Sequence, residues 1–109
     1  MRYSLEYFSE SVRAEIDMWP VGLRTRYRAL TLRMETHGPM LGMPHTRAMG
    51  DGLFEIRIKS IEGIGRAFFC TRVGRRIVIL HGFIKKSEKT PKGALGLARK
   101  RMMEVSHHE

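Results

Sequence analysis

Four consecutive apolar residues, Ile77-Val78-Ile79-Leu80, sit between Arg75-Arg76 on one side and Lys85-Lys86 on the other. Successive side chains of a strand point to opposite faces, so a run that is apolar on both parities predicts a central strand covered on both of its faces. A chain of 109 residues, 42% hydrophobic, has room for one such core and one domain, residues 1–109.

The flanking segments supply the other elements. Residues 2–8 alternate loosely, with Tyr3, Leu5 and Tyr7 on one side, and read as a short first strand. Ser9 or Ser11 is placed to cap a helix in which Val12, Ile16 and Trp19 recur at helical spacing. Pro20 interrupts it, and a second helix restarts there with Leu23, Tyr27, Leu30 and Met34 as its stripe, stopped by His37-Gly38-Pro39. Residues 38–52 are rich in glycine and proline and are expected to form a long structured loop.

Three strands are predicted next, over Leu53 to Ser60, Ile64 to Val73 and Arg75 to Lys86, with a tight turn at Gly74. Thr90 as N-cap and Pro91 at the first helical position open a last helix with Leu95, Ala98, Met102 and Val105 on one side; residues 105–109 are expected to fray. The order β-α-α-β-β-β-α, with short links between the last three strands, gives an α+β fold: a small antiparallel sheet with helices packed on one face.

Charge is segregated along this framework. Residues 1–56 carry seven Lys/Arg against seven Asp/Glu, and residues 57–109 carry thirteen against four, so the net charge of +9 belongs to the second half. In the first of the three strands Phe54, Ile56 and Ile58 alternate with Glu55, Arg57 and Lys59, which sends one face to the core and leaves cations on the other. Arg66 and Arg72 share a face of the next strand, while Lys85, Lys86 and Lys89 emerge where the last one ends, with Lys92 just beyond. From residue 57 to 101 only Glu62 and Glu88 answer these cations, which reads either as a solvated cationic face or as a surface that holds an anion, a phosphate backbone above all, with acidic protein and anionic membrane as competing partners.

The remaining signals mostly exclude. No apolar run approaches the ~20 residues that span a bilayer, and the start lacks a secretory apolar region, so a cytoplasmic protein without a membrane partner is expected. Cys70 is the single cysteine and lies in an apolar stretch, as a packed thiol does. No His-Glu-x-x-His motif or cluster of carboxylates suggests a metal, and no cofactor is implied. His37, His45, His107 and His108 read as loop or tail residues. His81, after the apolar run and beside a glycine, reads either as a structural imidazole or as a general acid or base. A cationic face can still promote RNA cleavage without metal, because attack by a 2′-OH on the adjacent phosphorus builds charge that Arg and Lys stabilise.

Gly52-Leu53-Phe54-Glu55-Ile56-Arg57, Phe83-Ile84-Lys85-Lys86-Ser87-Glu88-Lys89-Thr90-Pro91 and Ala98-Arg99-Lys100-Arg101 resemble the RelE/ParE superfamily of type II toxins, closest to its HigB-like, phage-derived branch. The similarity covers roughly residues 40–104. It implies a compact antiparallel sheet flanked by helices, a cognate antitoxin that often carries a helix-turn-helix domain, and, for the RelE and HigB branches, mRNA cleavage in the ribosomal A site. By position, Arg57 and Arg66 match the basic strand residues near the scissile phosphate, and Lys85 or Lys86 matches the cation at the end of the last strand; Lys59, Arg72, Lys89 and Lys92 are the expected RNA contacts. The C-terminal tyrosine of RelE-type sites has no counterpart, since the tyrosines here are Tyr3, Tyr7 and Tyr27, and the acidic, histidine-rich C-terminal constellation of some HigB toxins is missing too. A ParE-like inhibitor of gyrase and a non-enzymatic phage nucleic-acid-binding protein are the competing readings.

Overall fold

The computed structural model describes residues 2–85 and 91–107. Its elements run β1 (Ser4–Tyr7), α1 (Glu10–Asp17), α2 (Val21–His37), β2 (Thr46–Gly50), β3 (Leu53–Ser60), β4 (Gly63–Arg72), β5 (Arg76–Lys85) and α3 (Lys92–His107). The strands form one sheet in the order β1-β5-β4-β3-β2.

The last three strands make the expected antiparallel meander, and the sheet is larger and mixed. β1 pairs parallel with β5, and the long connection that a parallel pair needs runs through α1 and α2 to the far edge of the sheet and back through the intervening strands. The long loop contains an edge strand, β2, paired antiparallel with β3. Its five residues escape a periodicity reading because glycine and proline surround them and only one face of a short edge strand needs to be apolar.

Helices cover both faces of the sheet, which corrects the one-face expectation and is what the Ile77–Leu80 run requires. On one face Ile16, Trp19, Leu23 and Met34 of the α1–α2 region pack against Ile56, Ile58, Phe69, Ile77 and Ile79. On the other, Ala98 and the half-buried Leu95 and Met102 of α3 lie over Leu53, Phe68, Val78 and Leu80, with the buried thiol of Cys70 among them. Between β4 and β5, Phe68 lies opposite His81 and Phe69 opposite Ile79, so Leu80 is the extra residue of a β-bulge.

The helix ends are set locally. Ser9 Oγ accepts from Val12 N–H at 3.3 Å and caps α1. Pro20 stands before α2 rather than in its first turn, and the α2 amide of Leu23 donates instead to Glu62 Oε1, 3.2 Å away in the β3–β4 turn. Gly38 ends α2 with φ 102°. Gly74 and Arg75, with φ 87° and 60°, turn β4 into β5. Pro91 precedes α3 and its carbonyl accepts from Leu95 N–H, so the proline sits one position earlier than expected; Thr90 lies outside the described residues. The helix continues through Val105 and Ser106 to His107, where a frayed tail was expected, because Arg72 reaches across to the Met102 carbonyl and the Ser106 hydroxyl. Among the described residues no helix is long and apolar enough to cross a membrane.

Candidate nucleic-acid interface

Strand register assembles the cations. Arg57 of β3 stands opposite Arg66 of β4, which stands opposite Phe83 of β5; in the next row Lys59 stands opposite Ile64, which stands opposite Lys85. These side chains share the face that carries α3, at the end of the sheet away from the β4–β5 turn. Adjacent strands lie about 4.8 Å apart, so Arg57, Lys59 and Lys85 bracket a span of roughly 10 Å, about the reach of one or two phosphodiesters. Lys59 is exposed, and Arg57 and Lys85 are half-buried.

Arg66 is not the half-exposed cation that alternation suggested. Its side chain is 5% exposed, and its Nη1 lies 3.4 Å from Oε2 of Glu55, itself 2% exposed. Glu55 Oε1 also accepts from Nε of Arg47 on the edge strand, at 3.2 Å, and Arg47 is 46% exposed. A buried carboxylate thus ties the edge strand to the centre of the sheet through two guanidiniums. Simple counting of acids between residues 57 and 101 hid this, because the counterion lies two residues before that window.

Other predicted contacts fall elsewhere. Arg72 shares the parity of Arg66 but lies six residues further along β4, roughly 20 Å away, where it binds the C-terminal turn of α3. Lys92 is exposed at the start of α3. Lys86 and Lys89 lie outside the described residues, as does His108. His37 and His107 are exposed, and His45 is half-buried beside Arg57, whose amide donates to the His45 carbonyl at 2.8 Å. Further arginines of the basic half are bound internally: Arg76 grips the Glu6 carboxylate at 2.7 and 3.1 Å, Arg99 donates to the carbonyls of Met49 and Gly50, and Arg101 donates to the Leu80 carbonyl at 2.7 Å. Glu62, one of the two acids expected to answer the strand cations, is spent on the α2 N-terminus.

His81 follows the bulge, on the α3 face, and its ring stacks on Phe83 with centroids 5.6 Å apart. Burial, reinforced by the nearby Arg101 charge, holds its pKa below the usual histidine value and keeps the imidazole neutral. The tyrosines lie on or against the opposite core: Tyr7 and Tyr27 share a hydrogen bond at 2.9 Å, and burial drives the Tyr27 phenol well above its ordinary pKa. Among the described residues no group of three or more His, Cys, Asp or Glu is placed to hold a metal ion.

Fold and surface together define a small α+β protein whose mixed sheet presents cations beside a buried carboxylate, with helices on either face. The model of the phage-derived Gp49-like protein family (DUF891) matches residues 14–103, and the chain belongs to that family. No curated protein matches the chain.

Proposed function

We propose that the chain is the toxin of a type II toxin-antitoxin pair, a HigB-like member of the RelE/ParE superfamily that inhibits translation by cutting mRNA on the ribosome without a metal. The observation that carries this reading is the pair of adjacent cross-strand rows that place Arg57, Lys59 and Lys85 on one sheet face beside a neutral imidazole. Membership of a phage-derived family is compatible with a toxin.

The chemistry follows from those residues. The ribose 2′-oxygen attacks the neighbouring phosphorus in line, a new O–P bond forms, the bond to the 5′-oxygen breaks, and a cyclic phosphate is left. The proton of the 2′-OH passes to His81, and the departing oxygen takes one from water. Negative charge growing on the phosphorane oxygens is met by Arg57, with Lys59 and Lys85 along the backbone. Arg66, buried beside Arg57 on the neighbouring strand, acts through position and field rather than through contact. Nothing on this face orients a flexible RNA unaided, so the ribosome supplies the alignment. A cognate antitoxin, often one with a helix-turn-helix domain in toxins of this kind, is the second partner.

A ParE-like gyrase inhibitor is the second reading. It is favoured by the number of arginines bound internally, Arg66, Arg72, Arg76, Arg99 and Arg101, since inhibition through protein contact needs no catalytic cation. Purified protein incubated separately with naked mRNA, with programmed ribosomes and with gyrase plus supercoiled DNA separates the cases. The proposal expects new mRNA 5′ ends on ribosomes only. Gyrase inhibition with intact mRNA overturns it in favour of the ParE-like reading, and silence in all three favours a nucleic-acid-binding protein without enzymatic activity.

A further inference from the structure

The buried carboxylate has no role in the chemistry above, yet it lies among the cations that the chemistry uses. We infer that Glu55 is a built-in anion that positions Arg66 beside Arg57 and competes with RNA phosphate for Arg47, thereby limiting how tightly the face holds RNA; this rests on the reading of the face as an RNA surface.

Three features lead there. First, the two carboxylate oxygens are divided: Oε1 accepts from Arg47 Nε at 3.2 Å and Oε2 faces Arg66 Nη1 at 3.4 Å. Arg57 stands opposite Arg66 and adds a third guanidinium beside the one carboxylate. Second, the partners differ in freedom. Arg66 is 5% exposed and stays where the sheet and Glu55 hold it, whereas Arg47 is 46% exposed on an edge strand and is able to turn outward. Third, the place where it would turn is a small depression lined by Met43, Pro44, His45, Thr46, Arg47, Glu55 and Arg57. A phosphate at the mouth of that depression, which itself has room for about one water molecule, meets Arg57 and Arg47 together, and a bond to Arg47 Nε is taken from Glu55 Oε1. Both carboxylate and phosphate match the guanidinium fork, so the exchange is between like acceptors.

Removing the internal anion therefore has opposite effects on binding and turnover. In Glu55→Gln, Arg47 is released to RNA and the dependence of log affinity on log salt for a short single-stranded RNA steepens by about 0.7, the increment for one additional phosphate contact. Cleavage on ribosomes falls at the same time, because Arg66 loses the carboxylate that faces its Nη1. A merely structural carboxylate would lower both. The double variant Glu55→Gln/Arg47→Gln returns the slope to the wild-type value.

The experiment is fluorescence titration of a labelled oligouridine over a range of salt with wild type, Glu55→Gln and the double variant, each checked for folding by circular dichroism. In parallel the wild-type Arg47 Nε–H resonance is followed by NMR during the same titration, which keeps the test open if Glu55→Gln does not fold. A steeper slope in folded Glu55→Gln supports the inference, and an unchanged or shallower one overturns it. Where Glu55→Gln does not fold, an Arg47 resonance that moves with RNA supports the inference, and one indifferent to RNA overturns it. If the wild type cuts mRNA on ribosomes while the slope does not respond, the inference fails and the nuclease reading stands. If RNA binding responds as expected while no mRNA is cut, the nuclease reading fails and the competition stands.

Discussion

Arg57 and Arg66 are opposite each other on neighbouring strands, yet substitution should separate them sharply. Arg57 is half-buried, and Arg57→Ala should retain the fold with a cost of about 1 kcal/mol or less while abolishing growth arrest. Arg66→Ala leaves Glu55 buried with only the edge-strand Arg47 beside it, and breaking a buried pair from one side costs about 3–5 kcal/mol. Urea denaturation of the two variants checks this, and equal midpoints would contradict the placement of Arg66. A second expectation at this scale concerns pH. Hydrogen bonds from Arg76 hold the Glu6 carboxyl below its ordinary pKa of 4.5, so the folded state binds a proton less readily than the unfolded one. The stabilisation is present above pH 4.5 and is lost as pH falls through the lowered value. His81 is depressed likewise, so its share of stability is present above its ordinary 6.5 and declines with acidification below that. Arg76→Gln should flatten the acid limb of a stability–pH curve, and His81→Gln should flatten the part just below pH 6.5; thermal melts across that range read both.

At the scale of elements, close approach and arginine tethers do the fixing. A Cβ on Gly65 would stand 2.7 Å from Trp19 Cζ3, and one on Gly82 2.7 Å from Ile16 Cγ1, so the α1 end and the following turn lie directly on bare backbone of β4 and β5. Gly82→Ala should cost about 1–3 kcal/mol through overpacking, whereas Gly93→Ala, in open space on α3, should be neutral or stabilising. Chemical denaturation distinguishes the two, and a neutral Gly82→Ala would argue against the seating of Ile16. The opposite helix is held differently: α3 buries Ala98 fully, and Arg72, Arg99 and Arg101 bond it to β4, β2 and β5. The apolar stripes of α1 and α2, the Ser9 cap and the three-strand meander were legible because period and turn residues decide them locally. β2 and the parallel seat of β1 were not, since a five-residue edge and a long crossover are decided by what the rest of the sheet leaves unpaired. Arginine tethers were invisible for the same reason: sequence shows that a residue is cationic, not whether a carbonyl waits for it across the fold.

For the whole molecule, that distinction determines how the net charge of +9 is to be read. Strand alternation placed Arg57 and Lys59 on one face and left Lys85 at the end of the last strand; the register brings the three onto one face, whereas Arg66 and Arg72, counted with them, are turned inward or toward α3. What remains is a compact cationic end of the sheet. The α1–α2 side has arginines of its own, Arg13, Arg24 and Arg28, interspersed with Asp17 and Glu35 around one cleft, so its field is mixed. A polyanion should therefore settle on the first side, releasing counterions as it does, and its affinity should fall steeply with salt. Lys59→Ala/Lys85→Ala should make the log–log salt dependence shallower by about 1.4 for single-stranded RNA, two contacts at roughly 0.7 each. Arg13→Ala/Arg28→Ala removes the same formal charge from the other side of the sheet and should leave the slope near the wild-type value. Filter binding of one RNA by the three proteins across a salt series makes the comparison. Equal losses in both double variants would mean that net charge alone draws the RNA, and a loss confined to Arg13→Ala/Arg28→Ala would move the interface to the α1–α2 side.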